Sequence, residues 1–393
     1  MSREKLNLLF EQACVVGICE LLFLMPISIS LIELSIGVSL FFFLGRLLVC
    51  KGLFLRIYEK EKMLLLFFVP LAFSLVNSGA LIPISLFALF FKWSKYIILY
   101  LMISQTFTDA RKIEYAFASI SLGAALVILD CYSQLLFNFE FFYHHHMAPH
   151  ENNIFALTGP FSHNNDLAAY LICALFIIMY WIGPQKNKYI RIMAAALLLS
   201  GIFILPLTYS RGAYLSFMLG VALLLFILKR PLVSGFFLIV ATIVGLKVYF
   251  LKSLMSKDAG RFELWDTSMR MIKNHPFIGN GLGTFTAVFK NFSSSGRIKF
   301  AHNCFLQLWA EAGMVAVAIF TLFVVKTLIT GFLSYKETKD PKLIILICAL
   351  TAYLCHSLFD TNLFSVKLAV LFWVLMGLLK GSILSMPNPA AQK

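Results

Sequence analysis

Charge is scarce in this chain. Asp, Glu, Lys and Arg make up 13% of its 393 residues, against 60% for the hydrophobic types. Soluble domains run near a quarter charged and half apolar, so the shortage excludes a water-soluble globular body. Acidic residues are the scarcer half, 19 against 33 basic ones. No carboxylate stands out as a covalent nucleophile, which argues against double-displacement chemistry. The eight cysteines do not pair by spacing. All but Cys304 lie in or beside apolar runs, which excludes a disulfide framework and a cysteine metal motif. There is no internal repeat of fixed period, no low-complexity tract and no soluble domain, and the linker-like pieces are tails such as "MPNPAAQK". No cleavable signal peptide is evident; the first apolar run, from about Leu8, reads as a retained span.

What the chain has is apolar runs of about twenty residues, each able to cross a bilayer of roughly 30 Å, with a mean hydropathy of +0.85. The expected fold class is an all-α polytopic membrane protein, residues 1–393 forming one integral membrane domain. About twelve spans are expected, at roughly 8–29, 31–50, 63–79, 81–104, 114–137, 166–183, 190–207, 212–228, 232–250, 303–333, 343–359 and 365–384. The tenth is too long for one straight crossing, so its ends project or it tilts.

Compact basic clusters in "KGLFLRIYEKEK", "DARK", "PQKNKYIR", "KR" and "SYKETKDPK" fall on one side, which the positive-inside trend makes cytoplasmic. Both termini are then cytoplasmic. Two long segments stay outside, 138–165 and 251–302. The second carries Lys252, Lys257, Arg261, Arg270, Lys273, Lys290, Arg297 and Lys299. A basic outer loop asks for an anionic ligand. The net charge of +14 is accounted for by this loop and the cytoplasmic clusters, so no nucleic acid is invoked.

Four stretches at the outer face carry chemistry: "GPFSHNNDLAAY", "TYSRGAYLSF", "GRFELWDTSMRMIKNHPFIGNGLGTF" and "AHNCFLQLWAEAG". Arg211 stands at a turn between spans. It is either a snorkelling interface residue or a planar fork for phosphate oxygens. Arg261 precedes Trp265 by four residues, so the two share a helix face; Trp265 anchors at the interface or packs beside the arginine. Arg270 and Lys273 extend that amphipathic segment toward solvent or headgroups. Gly279, Gly281 and Gly283 form a tight loop that shapes a pocket. No strand–helix unit surrounds them, which excludes a nucleotide loop. His302 is a candidate general base, or with Asn303 simply the cap of the tenth span. Glu311, about two and a half turns further on, is too distant to touch His302 and must face protein or water. His356 and Asp360 are an i, i+4 pair that orient one another or line one cavity. The run His144–His146 with His150 does not make a metal site, since adjacent histidines cannot converge on one ion without strain.

Taken in order, and with "HSLFDTNLF" following, these stretches resemble the O-antigen ligase and polymerase superfamily of bacterial membrane proteins (WaaL, Wzy and PglL), best over about 159–362. The resemblance implies a GT-C-type glycosyltransferase of the bacterial inner membrane, with its active site facing the periplasm. Its donor is a glycan on undecaprenyl pyrophosphate, and it works without metal or cofactor. The family pattern assigns the pyrophosphate to Arg211 and Arg261 and the acceptor hydroxyl to His302. Asn303, Trp265, Arg270, Glu311, His356 and Asp360 are possible supporting residues. The compact loop and absence of an appended soluble domain favour a ligase whose acceptor is lipid A-core oligosaccharide. Alternatives are a polymerase joining lipid-linked repeats, a protein oligosaccharyltransferase, or a transporter. For the last, Lys92 and Lys95, inside an apolar run, are the best argument. The His144–His146 run is not a recognised family feature.

Overall fold

The computed structural model describes residues 2–144, 146–149, 155–254, 259–293 and 300–385. His145, His150, Lys257, Arg297, Lys299 and the "MPNPAAQK" tail, all named above, lie outside the described residues.

The chain is an all-α bundle. Its helices are α1 (Arg3–Leu24), α2 (Ile29–Val49), α3 (Lys51–Lys60), α4 (Lys62–Phe73), α5 (Ile82–Phe87), α6 (Ser94–Thr106), α7 (Ala110–Phe137), α8 (Asn164–Tyr180), α9 (Lys188–Ile204), α10 (Arg211–Ile227), α11 (Pro231–Leu254), α12 (Ala259–Asn274), α13 (Phe285–Phe289), α14 (Cys304–Thr338), α15 (Pro341–His356) and α16 (Val366–Leu384). One small departure from the all-α expectation is an antiparallel pair of two-residue strands in the first outer segment, with Ala148 opposite Ala156.

Among the described residues, seven helical stretches are long and apolar enough to cross a membrane, with four shorter apolar helices. One of the seven, Lys62–Thr106, is 45 residues long and takes in two of the expected spans. It bends at Gly79, where φ is +51° and ψ −126°. Large apolar side chains such as Phe41, Leu48, Val76, Phe137 and Leu232 point outward. On a soluble protein such a surface is a liability; in hydrocarbon it is the solvated face. This is a multi-pass membrane protein.

Two helices, α8 and α16, are apolar on every side and buried along nearly their whole length, as helices without a polar face must be. The other helices surround them: α6 packs on α16, α15 on α8, and α10 on α15, while α1 packs on α2 and α7.

The tenth expected span differs from a long tilted helix. α14 breaks at Gly313, where φ is +82° and ψ +172°. That break strands backbone groups that the glycine loop satisfies. Asn280 N–H donates to Ala310 O at 2.9 Å, Gly281 N–H to Glu311 O at 3.0 Å, and Met314 N–H to Pro276 O at 2.9 Å. The approach tolerates no side chain on either partner. A Cβ on Gly279 would sit 2.2 Å from Glu311 O, and one on Gly313 2.1 Å from Phe277 O. The loop therefore seats against the broken helix, and α12, which precedes it, is held over the start of α14.

Candidate functional site

The site begins at the start of α14. Asn303 is extended, and its Oδ1 accepts from Phe305 N–H at 2.9 Å and Leu306 N–H at 3.0 Å. This caps the helix. His302, just before it, has φ +46°, a left-handed conformation in which histidine is enriched. Cap and turn together aim the imidazole out of the helix line.

His302 Nδ1 lies 3.1 Å from Asp360 Oδ1. A carboxylate only accepts, so Nδ1 carries the proton. His302 Nε2 has no partner among the described residues. Asp360 stands just beyond α15, its side chain 10% exposed against 32% for His302. Its Oδ1 also accepts from Thr361 N–H at 2.8 Å, and its Oδ2 from Asn165 Nδ2 at 2.7 Å. Burial alone would push this carboxyl up, but the His302 hydrogen bond, the nearby His356 and the Thr361 N–H hold it well below the usual carboxylate range. Cys304 seams the two helix ends, donating its backbone N–H to Ser357 O at 2.9 Å and its thiol to Asp360 O at 3.3 Å.

Of the two readings of the i, i+4 pair, mutual orientation gives way: the imidazole hydrogen-bonded to Asp360 is His302, while His356 stays within electrostatic reach of that carboxylate. His356 is buried in its own set, with Nε2 3.4 Å from Ser210 Oγ and Nδ1 against the Asn362 amide at 3.0–3.2 Å. The residues on either side of Arg211 lie against His356, and Arg261 acts on His356 electrostatically. Arg211 is the exposed first residue of α10 and follows Ser210 directly; the next residue, Gly212, lies so close that a Cβ there would be 3.6 Å from the His356 ring. Arg261, on α12, is within electrostatic reach of His356.

The remaining candidates fall elsewhere. The Trp265 ring meets Phe262 edge to face at 5.9 Å between centroids. Arg270 pairs with Asp266 at 3.2 Å, both side chains well exposed. Glu311 is 2% exposed and accepts from Gly283 N–H at 2.7 Å and Gln307 Nε2 at 3.3 Å. It fastens the glycine loop and does not meet His302. Lys95 pairs with Glu33. Lys92 lies over the Phe364 ring at 4.8 Å, within electrostatic reach of Glu311. His144 stacks on Phe139 at 4.9 Å, and His146 Nδ1 bonds Asn138 O at 3.0 Å.

Sequence reasoning passed over Asn165, Ser210 and Asn362. Asn165 had a signal: "SHNND" is a polar run directly ahead of the unbroken apolar sequence of α8, the same pattern that drew attention to His302 and Asn303.

Chemically, the arrangement offers a partly exposed imidazole with one free nitrogen and a buried carboxylate holding the other, with Arg261 within electrostatic reach of the adjoining His356 and Arg211 opening the helix whose cap, Ser210, meets His356. It suits proton removal from a hydroxyl beside an anionic leaving group. Residues 194–321, a third of the chain, match the model of the family described as O-Antigen ligase (Wzy_C), which supports the resemblance to the O-antigen ligase and polymerase superfamily. The matched segment holds Arg211, Arg261 and His302, while Asn165 and Asp360 lie outside it. No curated protein matches the chain.

Proposed function

We propose that this chain is an O-antigen ligase of the bacterial inner membrane, a GT-C-type glycosyltransferase of twelve spans with both termini cytoplasmic. Segments 138–165 and 251–302 are its periplasmic parts. It moves a glycan from undecaprenyl pyrophosphate to a hydroxyl of lipid A-core oligosaccharide, without metal or cofactor. The observation that carries the reading is the His302–Asp360 pair at 3.1 Å, with His302 partly exposed beside the buried carboxylate.

His302 Nε2 takes the proton of the acceptor hydroxyl as its oxygen attacks the anomeric carbon. The bond from that carbon to the pyrophosphate oxygen breaks, and the configuration inverts. The pyrophosphate leaves with the electron pair. Arg211 and Arg261 meet the charge that builds on it, each contributing on the order of 3 kcal/mol in a water-poor site. Asp360 keeps the imidazole in the tautomer that leaves Nε2 basic. The donor is already activated, so no nucleotide is consumed.

The test is transfer by purified protein in liposomes, given undecaprenyl-pyrophosphate-linked glycan and rough lipopolysaccharide in the presence of a chelator. Glycan appearing on lipid A-core supports the ligase. Longer glycan still on the carrier lipid would make the chain a polymerase, and glycan on added protein an oligosaccharyltransferase. No transfer to any acceptor by folded protein would defeat the enzymatic reading and favour a transporter.

A further inference from the structure

Asn165 has no role in the scheme above, yet it is built into the site. It is the second residue of α8, two residues after the cap made by His163. Its amide donates 2.7 Å to Asp360 Oδ2 across a sequence separation of 195 residues. The other oxygen, Oδ1, faces the imidazole at 3.1 Å and Thr361 N–H at 2.8 Å. The two oxygens are thus divided between elements: one is aimed at His302, the other held from α8. A carboxylate turns easily about its terminal bond, so a donor on one oxygen fixes the plane in which the other receives the imidazole N–H.

We propose that Asn165 is a positioning residue for the transfer reaction, holding the Asp360 carboxylate so that His302 keeps its Nδ1–H toward Asp360 and its Nε2 toward the acceptor. This rests on the reading of His302 as the base.

The neighbourhood explains why the donor there is a neutral amide. Asp166, the next residue, acts electrostatically on Asp360, takes the Ser365 hydroxyl at 3.0 Å and feels His163 and Lys367. His356 acts on Asp360 from the end of α15, and Arg261 acts on His356. The Cys304 thiol occupies the Asp360 carbonyl at 3.3 Å. A carboxylate at 165 would add an acid facing Asp360 directly, and two acids at that distance share one proton before both ionise.

The experiment compares Asn165→Ala, Asn165→Asp and His302→Ala in liposomes, reading kcat, donor KM and the pH profile of transfer, with a thermal melt of each protein. N165A is expected to lower kcat about ten- to a hundredfold, the effect of losing a hydrogen bond to a charged group, with donor KM unchanged. N165D is expected to follow the unaltered protein on the acid side of the profile, where the shared proton stands in for the amide hydrogen. It then loses activity as pH rises and that proton leaves, a descending limb that the unaltered protein lacks. Parallel pH profiles and an unchanged kcat, with H302A inactive, would overturn the positioning role alone. A fully active H302A would overturn the reading of His302 and this inference with it. Failure of both Asn165 variants to fold would make the contact a structural one, and so also overturn the proposal.

Discussion

Replacing Gly313 by alanine should damage this protein more than its size suggests, and the reason lies in a junction between two distant segments. The residue sits at φ +82° and ψ +172°, a region that is essentially glycine-only and costs other residues about 1–3 kcal/mol. The added Cβ would also lie 2.1 Å from Phe277 O, 2.3 Å from Phe277 C and 2.5 Å from Ile278 N. These are backbone atoms, so the loop must move rather than a side chain, at a further cost of about 1–3 kcal/mol. Movement also stretches the bonds from Asn280, Gly281 and Met314 across the break, each worth about 1 kcal/mol. Together these come to about 5–9 kcal/mol if all three bonds are lost. The assay is thermal unfolding in lipid nanodiscs, with Gly37→Ala as the comparison. Gly37 lies within α2, and a Cβ there meets nothing within 4 Å, so alanine should be neutral or stabilise by up to about 1 kcal/mol. G313A should melt far below the unaltered protein and G37A at or above it. Equal melting of G313A and the unaltered protein would refute the claim that the loop and the broken helix are locked by glycine.

Other outcomes follow from the same contacts. Arg261→Ala should reduce transfer about a hundredfold, the effect of one lost charge-stabilising donor. A steady-state assay at saturating acceptor reads this, and an unchanged rate would remove Arg261 from the site. Asn303→Ala should cost about 1 kcal/mol of stability by uncapping α14, visible as a lowered melting midpoint without change in donor affinity. The carboxyl of Asp360 is held below its ordinary value of about 4. Its contribution to stability is therefore present above that value and lost as pH falls toward the depressed one. Between pH 5 and pH 3 the midpoint of the unaltered protein should fall more steeply than that of Asp360→Asn; equal slopes would count against the pairing with His302.

The helical bundle was legible because hydrocarbon imposes a length and a composition that no other solvent demands. His302 and Asn303 were legible for a related reason: polar residues at the head of an apolar run must be doing something with water, backbone or ligand. The partner of His302 was not. Local spacing offered His356 to Asp360, and the true contact spans 58 residues of sequence, a distance over which helix periodicity carries no information. Gly313 reads in sequence as a tolerated glycine in a long span. Only the loop at 276–281, folded back to take up the stranded carbonyls, makes it a break. Glu311 stood out as a carboxylate at membrane depth, but its purpose, accepting the backbone of Gly283, depends on that same long-range return.

The central claim is that His302, held by Asp360, removes the acceptor's proton. The most direct measurement is the single-turnover rate of glycan transfer by His302→Ala beside its equilibrium affinity for the lipid-linked donor. The account predicts a rate lowered about 10²–10⁴-fold with donor affinity unchanged. An unchanged rate, or a loss wholly in donor affinity, would contradict it.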